Sequence, residues 1–288
     1  MRALAEFIMR GRMQASFVVV STAALPLLFW LSAAAGSLVL LRRGLHDAFG
    51  IVALALLPAA VWWYFGEPRT LLLLLGTLGL AQLLRACVSW RLVLMGSVPV
   101  GLAYALVLGE VFRAPIEAMA GELQKLMPQV LESGPLSADE QTHLGALLVP
   151  VLTGLLAALL QIVSLLALVL GRYWQSLLYN PGGFASEFRV LRLPFPWALA
   201  LLAGMLLGPN LGPHLAMLTP LCSVPLVFAG VALVHGLVAQ GRLGRFWLVG
   251  LYVTLLLFMQ LIYPLLMVLA IVDSLIDFRA RQPPKGGS

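Results

Sequence analysis

Long apolar runs broken by short polar patches dominate the chain. We read eight apolar segments, at about 15–41, 45–65, 70–84, 92–108, 144–170, 196–208, 214–239 and 247–272. Several reach or approach the roughly 20 residues that a helix needs to cross a bilayer. None alternates apolar and polar positions with the period of two expected of a membrane β-strand. The pattern predicts an all-α, polytopic transmembrane helical bundle with some segments re-entrant or broken, forming one membrane domain over 1–288. The third and sixth segments are short for full crossings. The first and last contain Pro26 and Pro264, and an internal proline removes a backbone donor and kinks a helix.

The polar positions suggest an orientation. Arginines cluster between segments at Arg42/Arg43, Arg85/Arg91, Arg172/Arg189/Arg192 and Arg242/Arg245. If each segment crosses once, all four clusters share one side, which the positive-inside rule assigns to the cytoplasm. The connector 109–143 then lies outside. It is acidic, with Glu110, Glu117, Glu122, Glu132, Asp139 and Glu140. The termini do not comply. Arg2, Arg10 and Arg12 at one end, and Arg279, Arg281 and Lys285 at the other, would also be outside. A re-entrant pair of half-helices in 15–41, broken near Pro26, would return the N-terminus to the arginine side. The sequence leaves both arrangements open.

Within the connector, Ile116, Met119, Leu123, Leu126, Met127 and Val130 fall at helical spacing, with Glu117, Glu122 and Lys125 elsewhere on the wheel. That predicts an amphipathic helix at an interface or on the bundle mouth, with a bend at Met127-Pro128. Ser137 and Glu140 have the form of a capping box for the helix that enters the membrane near Leu144.

Composition sharpens this picture. The chain is 61% hydrophobic and 10% charged, where a soluble domain carries about 25% charged residues. Too little polar surface is left to cover a water-soluble globule. The formal charge of +6 comes from arginines at the ends of apolar runs, so it signals membrane orientation and not nucleic acid. The expected setting is the bacterial cytoplasmic (inner) membrane, with the lipid bilayer as main partner. The basic start "MRALAEFIMRGRMQ" precedes a run longer than the ~7–15 residues of a signal-peptide core, which reads as an uncleaved membrane segment. Cys87 and Cys222 stand far apart with no ligand spacing, and read as packing residues.

Candidate chemistry is sparse. No acidic residue sits at the centre of a predicted span, which argues against a carboxylate-based ion pump or an intramembrane aspartyl protease. His46, His143 and His214 lie at span ends. No catalytic constellation, metal site or cofactor motif emerges. Neutral polar residues do occur within spans. Gln161 and Ser164, and Gln260 and Tyr263, each lie three residues apart on one helix face, and His235 lies in the segment between. They read either as interhelical hydrogen-bonding groups or as the lining of a cavity for a neutral or zwitterionic small-molecule ligand. "LLGPNLGPHL" at 206–215, with Asn210, reads as a turn between spans or as a broken helix of the kind that binds ligand in transporters.

The most polar interior stretch is 171–195, an interfacial loop on the arginine side. Tyr173, Trp174, Tyr179, Phe184, Phe188 and Phe195 suit the headgroup region. Asn180-Pro181-Gly182-Gly183 is a turn signal. A short surface helix follows, with Phe184, Phe188 and Leu191 on one face, Arg189 and Arg192 on the wet side, and Glu187 placed to pair with an arginine. Asn180, Gly182, Gly183, Phe184, Glu187, Phe188, Arg189 and Arg192 are candidates for docking a membrane or cytoplasmic protein partner.

"YNPGGFASEFRVLRLP" (179–194), "GVALVHGL" (230–237) and "IVDSLIDFRAR" (271–281) resemble the YybS-like family of bacterial integral membrane proteins. That family is distantly similar to the substrate-binding components of energy-coupling-factor transporters. The resemblance implies a helical bundle with a ligand cavity opening outward, and a separate subunit to supply energy. It also implies partner docking through small residues on early helices, for which Ala23, Ala24, Ala33, Ala34, Ala35 and Gly36 are candidates.

Overall fold

The computed structural model describes residues 1–130 and 138–280, and every regular element among them is helical. The elements are α1 (Arg2–Arg10), α2 (Arg12–Ala24), α3 (Phe29–Arg43), α4 (Leu45–Tyr64), α5 (Arg69–Cys87), α6 (Trp90–Val111) and α7 (Arg113–Val130). After the undescribed stretch come α8 (Ala138–Tyr179), α9 (Gly183–Arg189), α10 (Phe195–Leu211), α11 (Leu218–Ala239), α12 (Phe246–Leu257) and α13 (Met259–Ile276). A 3₁₀ turn at Pro213–Met217 leads into α11. Helices α4, α5, α6, α8, α11 and α13 are long and apolar enough to cross a membrane, while α10 and α12 are apolar but shorter. The protein is an all-α, multi-pass membrane bundle.

Two hairpins remove the conflict at the termini. The chain turns over residues 25–28, and α3 runs back along α2. Ser32 Oγ donates to the Val19 carbonyl at 2.7 Å, and Arg43 donates to the Met9 carbonyl at 3.1 Å. Segment 15–41 is therefore a re-entrant pair and not one crossing. The last segment is also divided. The expected kink at Pro264 does not mark the division, because Pro264 lies inside α13. The break falls at Phe258, between α12 and α13. Arg242, just before α12, donates to the Phe278 carbonyl just after α13, so the pair returns the chain to the face it left.

All four arginine clusters consequently sit at one end of the bundle, with both described chain ends beside them; Arg281 and Lys285 lie outside the described residues. Arg85 reaches the Leu40 carbonyl at 2.8 Å, and Gln175 reaches the Leu41 carbonyl at 3.2 Å. Both carbonyls belong to the last turn of α3, where helix carbonyls run short of backbone donors; that of Leu40 also accepts from the Gly44 N–H at 2.9 Å. A cation there also meets the negative end of the helix dipole.

The core runs along α3. Ala33, Ala34 and Ala35 are fully buried. A side chain at Gly171 of α8 would meet the Ala34 carbonyl at 2.8 Å and Ser37 Cβ at 2.9 Å. Small residues thus bring α3 and α8 close together. The expectation that they dock a partner is corrected here: most are consumed by packing within the chain, while Ala24 is exposed. Cys222 is buried, but Cys87 is exposed at the end of α5 and is no packing residue.

The amphipathic connector is α7. Ile116 and Ala120 are buried, whereas Met119, Leu123 and Leu126 remain exposed. Its contact face is therefore narrower than its apolar stripe, and the rest suits an interface. The expected capping box at Ser137 and the side chains around Met127-Pro128 lie outside the described residues.

Candidate functional site

A single serine organises the turn that closes α8. Ser176 Oγ donates to the Asn180 carbonyl at 2.7 Å and accepts from the Phe184 backbone N–H at 3.1 Å. Gly182 follows with φ of +84°, a left-handed conformation in which a Cβ is unfavourable. The chain then enters α9, whose orientation is set by Glu187. That carboxylate is paired with Arg172 and accepts from Trp90 Nε1 at 3.2 Å. One acidic group thereby joins α6, α8 and α9.

Aromatic side chains extend from this anchor. Trp90 meets Phe184, Phe184 meets Phe188, Phe188 meets His235 and His235 meets Tyr252, with ring centroids 5.5–5.9 Å apart throughout. His235 Nε2 and the Tyr252 hydroxyl share a hydrogen bond of 2.8 Å. This row links α6, α9, α11 and α12 along the arginine face.

Above the row lies a cavity of about 690 Å³ between α8, α9, α11, α12 and α13. That size is within the range of small-molecule sites, about 300–1,000 Å³. Its walls are largely apolar, with Ile162 and Leu166 on α8 and Val224, Val227 and Val231 on α11. Its polar groups are few. Ser176, Arg189, His235 and Tyr252 lie toward the arginine face, and Tyr263 lies deeper. The Tyr263 hydroxyl shares a hydrogen bond of 2.7 Å with Ser223 Oγ. No family model, characterised protein or solved structure matches the chain.

The structure sorts the candidate residues differently from the sequence. His235 and Tyr263 join Gly182, Phe184, Phe188 and Arg189 around one cavity. Gln161 and Ser164 are fully buried elsewhere. Gln161 Nε2 donates to Ser97 Oγ at 2.8 Å, and Ser164 Oγ shares a 2.8 Å bond with Tyr104. They join α6 to α8, as polar side chains between membrane helices do. Gln260, in the first turn of α13, is exposed and is not among the residues that line the cavity with Tyr263. Asn210 sits at the far end of α10, where its amide reaches only the Leu206 carbonyl at 3.2 Å; "LLGPNLGPHL" makes the turn between α10 and α11. Cavity and polar helix faces are thus separate features.

Arg192 differs from its expected place. It is not on a wet helix face, because α9 ends at Arg189. Its guanidinium turns toward α13, donating to the Asp273 and Ser274 carbonyls at 2.9 Å each and pairing with Asp277 at 2.9 Å. Arg279 answers in the other direction. It donates to the Arg189 and Leu191 carbonyls at 3.0 and 2.8 Å and pairs with Asp273 at 2.6 Å. A side chain at Gly236 would meet the Arg189 carbonyl at 2.7 Å. The fragments 179–194 and 230–237 and the described part of the third, 271–280, therefore meet in space. Asp273, Asp277 and Arg279 were missed as a site. Two acids and an arginine at the end of an apolar run were the available signal.

Proposed function

We propose that this protein binds a small amphipathic molecule within the membrane, in the cavity between α8, α11 and the α12–α13 hairpin. The observation that carries the reading is the cavity itself: apolar walls with most of its few polar groups toward one end. Such a lining matches the general make-up of small-molecule sites, where polar groups fix orientation and apolar surface holds the body of the ligand. The resemblance to the YybS-like family, and through it to substrate-binding components of vitamin transporters, supports the same reading. On this reading the arginine face lies in the cytoplasm of a bacterium and the bundle sits in its inner membrane. Transport of the bound molecule relies on a separate energising subunit.

Docking of a partner through 171–195 is the weaker reading. Glu187 and Arg192, its most directional groups, are held by Arg172 and by the end of α13.

The test is native mass spectrometry on protein extracted from its own membranes without added ligand. A defined extra mass is expected on the wild type. Val231→Trp, which fills the cavity from α11, should remove that mass and leave the thermal unfolding midpoint within a few degrees of wild type. Bare wild-type protein, or a bound mass that survives Val231→Trp, would overturn the assignment.

A further inference from the structure

The cavity is polarised in depth. Along α8 its lining runs from Ile162 and Leu166 to Tyr173 and Ser176. Fourteen residues of helix span about 21 Å, roughly one leaflet of a bilayer with its headgroup layer. The deep polar group, Tyr263, already has Ser223 as partner. The other end offers Arg189, His235 and Tyr252. A molecule matched to both ends has a long apolar body and one polar head.

The sign of that head follows from the arginines. At this face the guanidinium groups of Arg43, Arg85, Arg172, Arg192 and Arg279 all bond to the chain itself. Arg42 lies over the Tyr179 ring at 4.1 Å. Arg189 has no hydrogen-bond or ion-pair partner for its guanidinium among the described residues, it is exposed, and it carries the formal charge on the cavity lining. A planar guanidinium at headgroup depth favours phosphate, which it grips through two parallel hydrogen bonds.

One side of the cavity faces the membrane. Helix α12 has no buried residue, and Leu256 and Leu257 on it face outward. One wall of the cavity is therefore a helix standing in lipid and held to α11 by the His235–Tyr252 bond.

We propose that the occupant is an anionic phospholipid of the surrounding membrane. Its phosphate sits at Arg189 beside the His235–Tyr252 pair, and an acyl chain lies along α8 and α11. This rests on the binding reading above and names its ligand class. An acyl chain gains little by leaving lipid for an apolar cavity, because there is no hydrophobic driving force between lipid and apolar side chains. Selection therefore comes from the head.

The experiment is a lipid titration of delipidated full-length protein, read by native mass spectrometry. The probes are phosphatidylglycerol, phosphatidylethanolamine and inorganic phosphate. The wild type should retain phosphatidylglycerol over phosphatidylethanolamine and should not retain free phosphate. Arg189→Gln should reduce that preference about fivefold, the effect of one arginine near an anionic headgroup. Arg91→Gln removes another exposed arginine from the same face, one without a partner among the described residues and not part of the cavity lining, and should leave the preference intact. Equal retention of the two lipids, equal effects of the two substitutions, or retention of free phosphate as well as lipid would overturn the proposal. Persistence of phosphatidylglycerol in Val231→Trp would do the same. A neutral compound that Val231→Trp displaces and Arg189→Gln does not affect would sink this proposal alone. Absence of any bound mass would sink the binding reading with it.

Discussion

At the scale of single residues, arginine here is mainly a cap for other helices. Arg43 serves the end of α1, Arg85 the end of α3, Arg279 the end of α9 and Arg192 the end of α13. Each donates to carbonyls in or next to the last turn of a helix, where basic side chains complement the exposed carbonyls. The positive-inside pattern and the tertiary structure are thus served by the same side chains. The Asp273–Arg279 pair is the most consequential, with side chains 3% and 9% exposed. Removing one partner of a buried pair leaves an uncompensated charge. Arg279→Ala should lower stability by about 3 kcal/mol, measured as thermal unfolding in detergent. Asp277→Asn breaks a pair whose side chains are about one-third exposed, and should cost less than about 1 kcal/mol. Equal losses would show that burial is not what sets these pairs apart. The chemistry of these residues was visible in "IVDSLIDFRAR"; their partners, some 80 to 90 positions earlier, were not.

At the scale of elements, α12 stands apart. It is as apolar as its neighbours, yet none of its residues is fully buried within the chain. A short helix with its apolar faces in lipid is stabilised by its own backbone bonds and by few tertiary contacts, which places it at the low-stability end of the fold. The His235–Tyr252 bond is its polar tie to α11. A net hydrogen bond contributes about 0.5–1.5 kcal/mol. Tyr252→Phe should therefore speed amide exchange in 246–257 by up to about tenfold while α13 keeps its protection. Unchanged exchange in α12 would mean that the tie is not what holds it. The sequence placed one long segment here. It gave no sign of Phe258 as the break, because phenylalanine carries no intrinsic stop signal and Pro264 does. The helix continues through Pro264 nonetheless, as happens where neighbouring groups re-satisfy the freed carbonyl in a membrane.

At the scale of the whole molecule, two hairpins bring both described ends to the arginine face. Cysteines introduced singly by Ala3→Cys, Arg245→Cys and Ala280→Cys, in a background lacking Cys87 and Cys222, should react with an impermeant maleimide from the same side of the membrane. Glu67→Cys, in the turn between α4 and α5, should react from the opposite side. Reaction of the Ala3 or Ala280 position from the Glu67 side would replace the corresponding hairpin with a full crossing.

The sequence by itself determined the solvent and the class of fold. An excess of apolar residues in runs of helical length leaves only a lipid-embedded helical bundle. It also located the arginine face and the aromatic turn at 179–188, because local signals such as Asn-Pro-Gly-Gly act over a few residues. Only the tertiary structure decided that Gln161 and Ser164 join helices while His235, Tyr263 and Arg189 share a cavity. Periodicity tells which residues lie on one face of a helix, but every face of a membrane helix meets something apolar. Whether that is lipid, a neighbouring helix or a void depends on how the other helices pack.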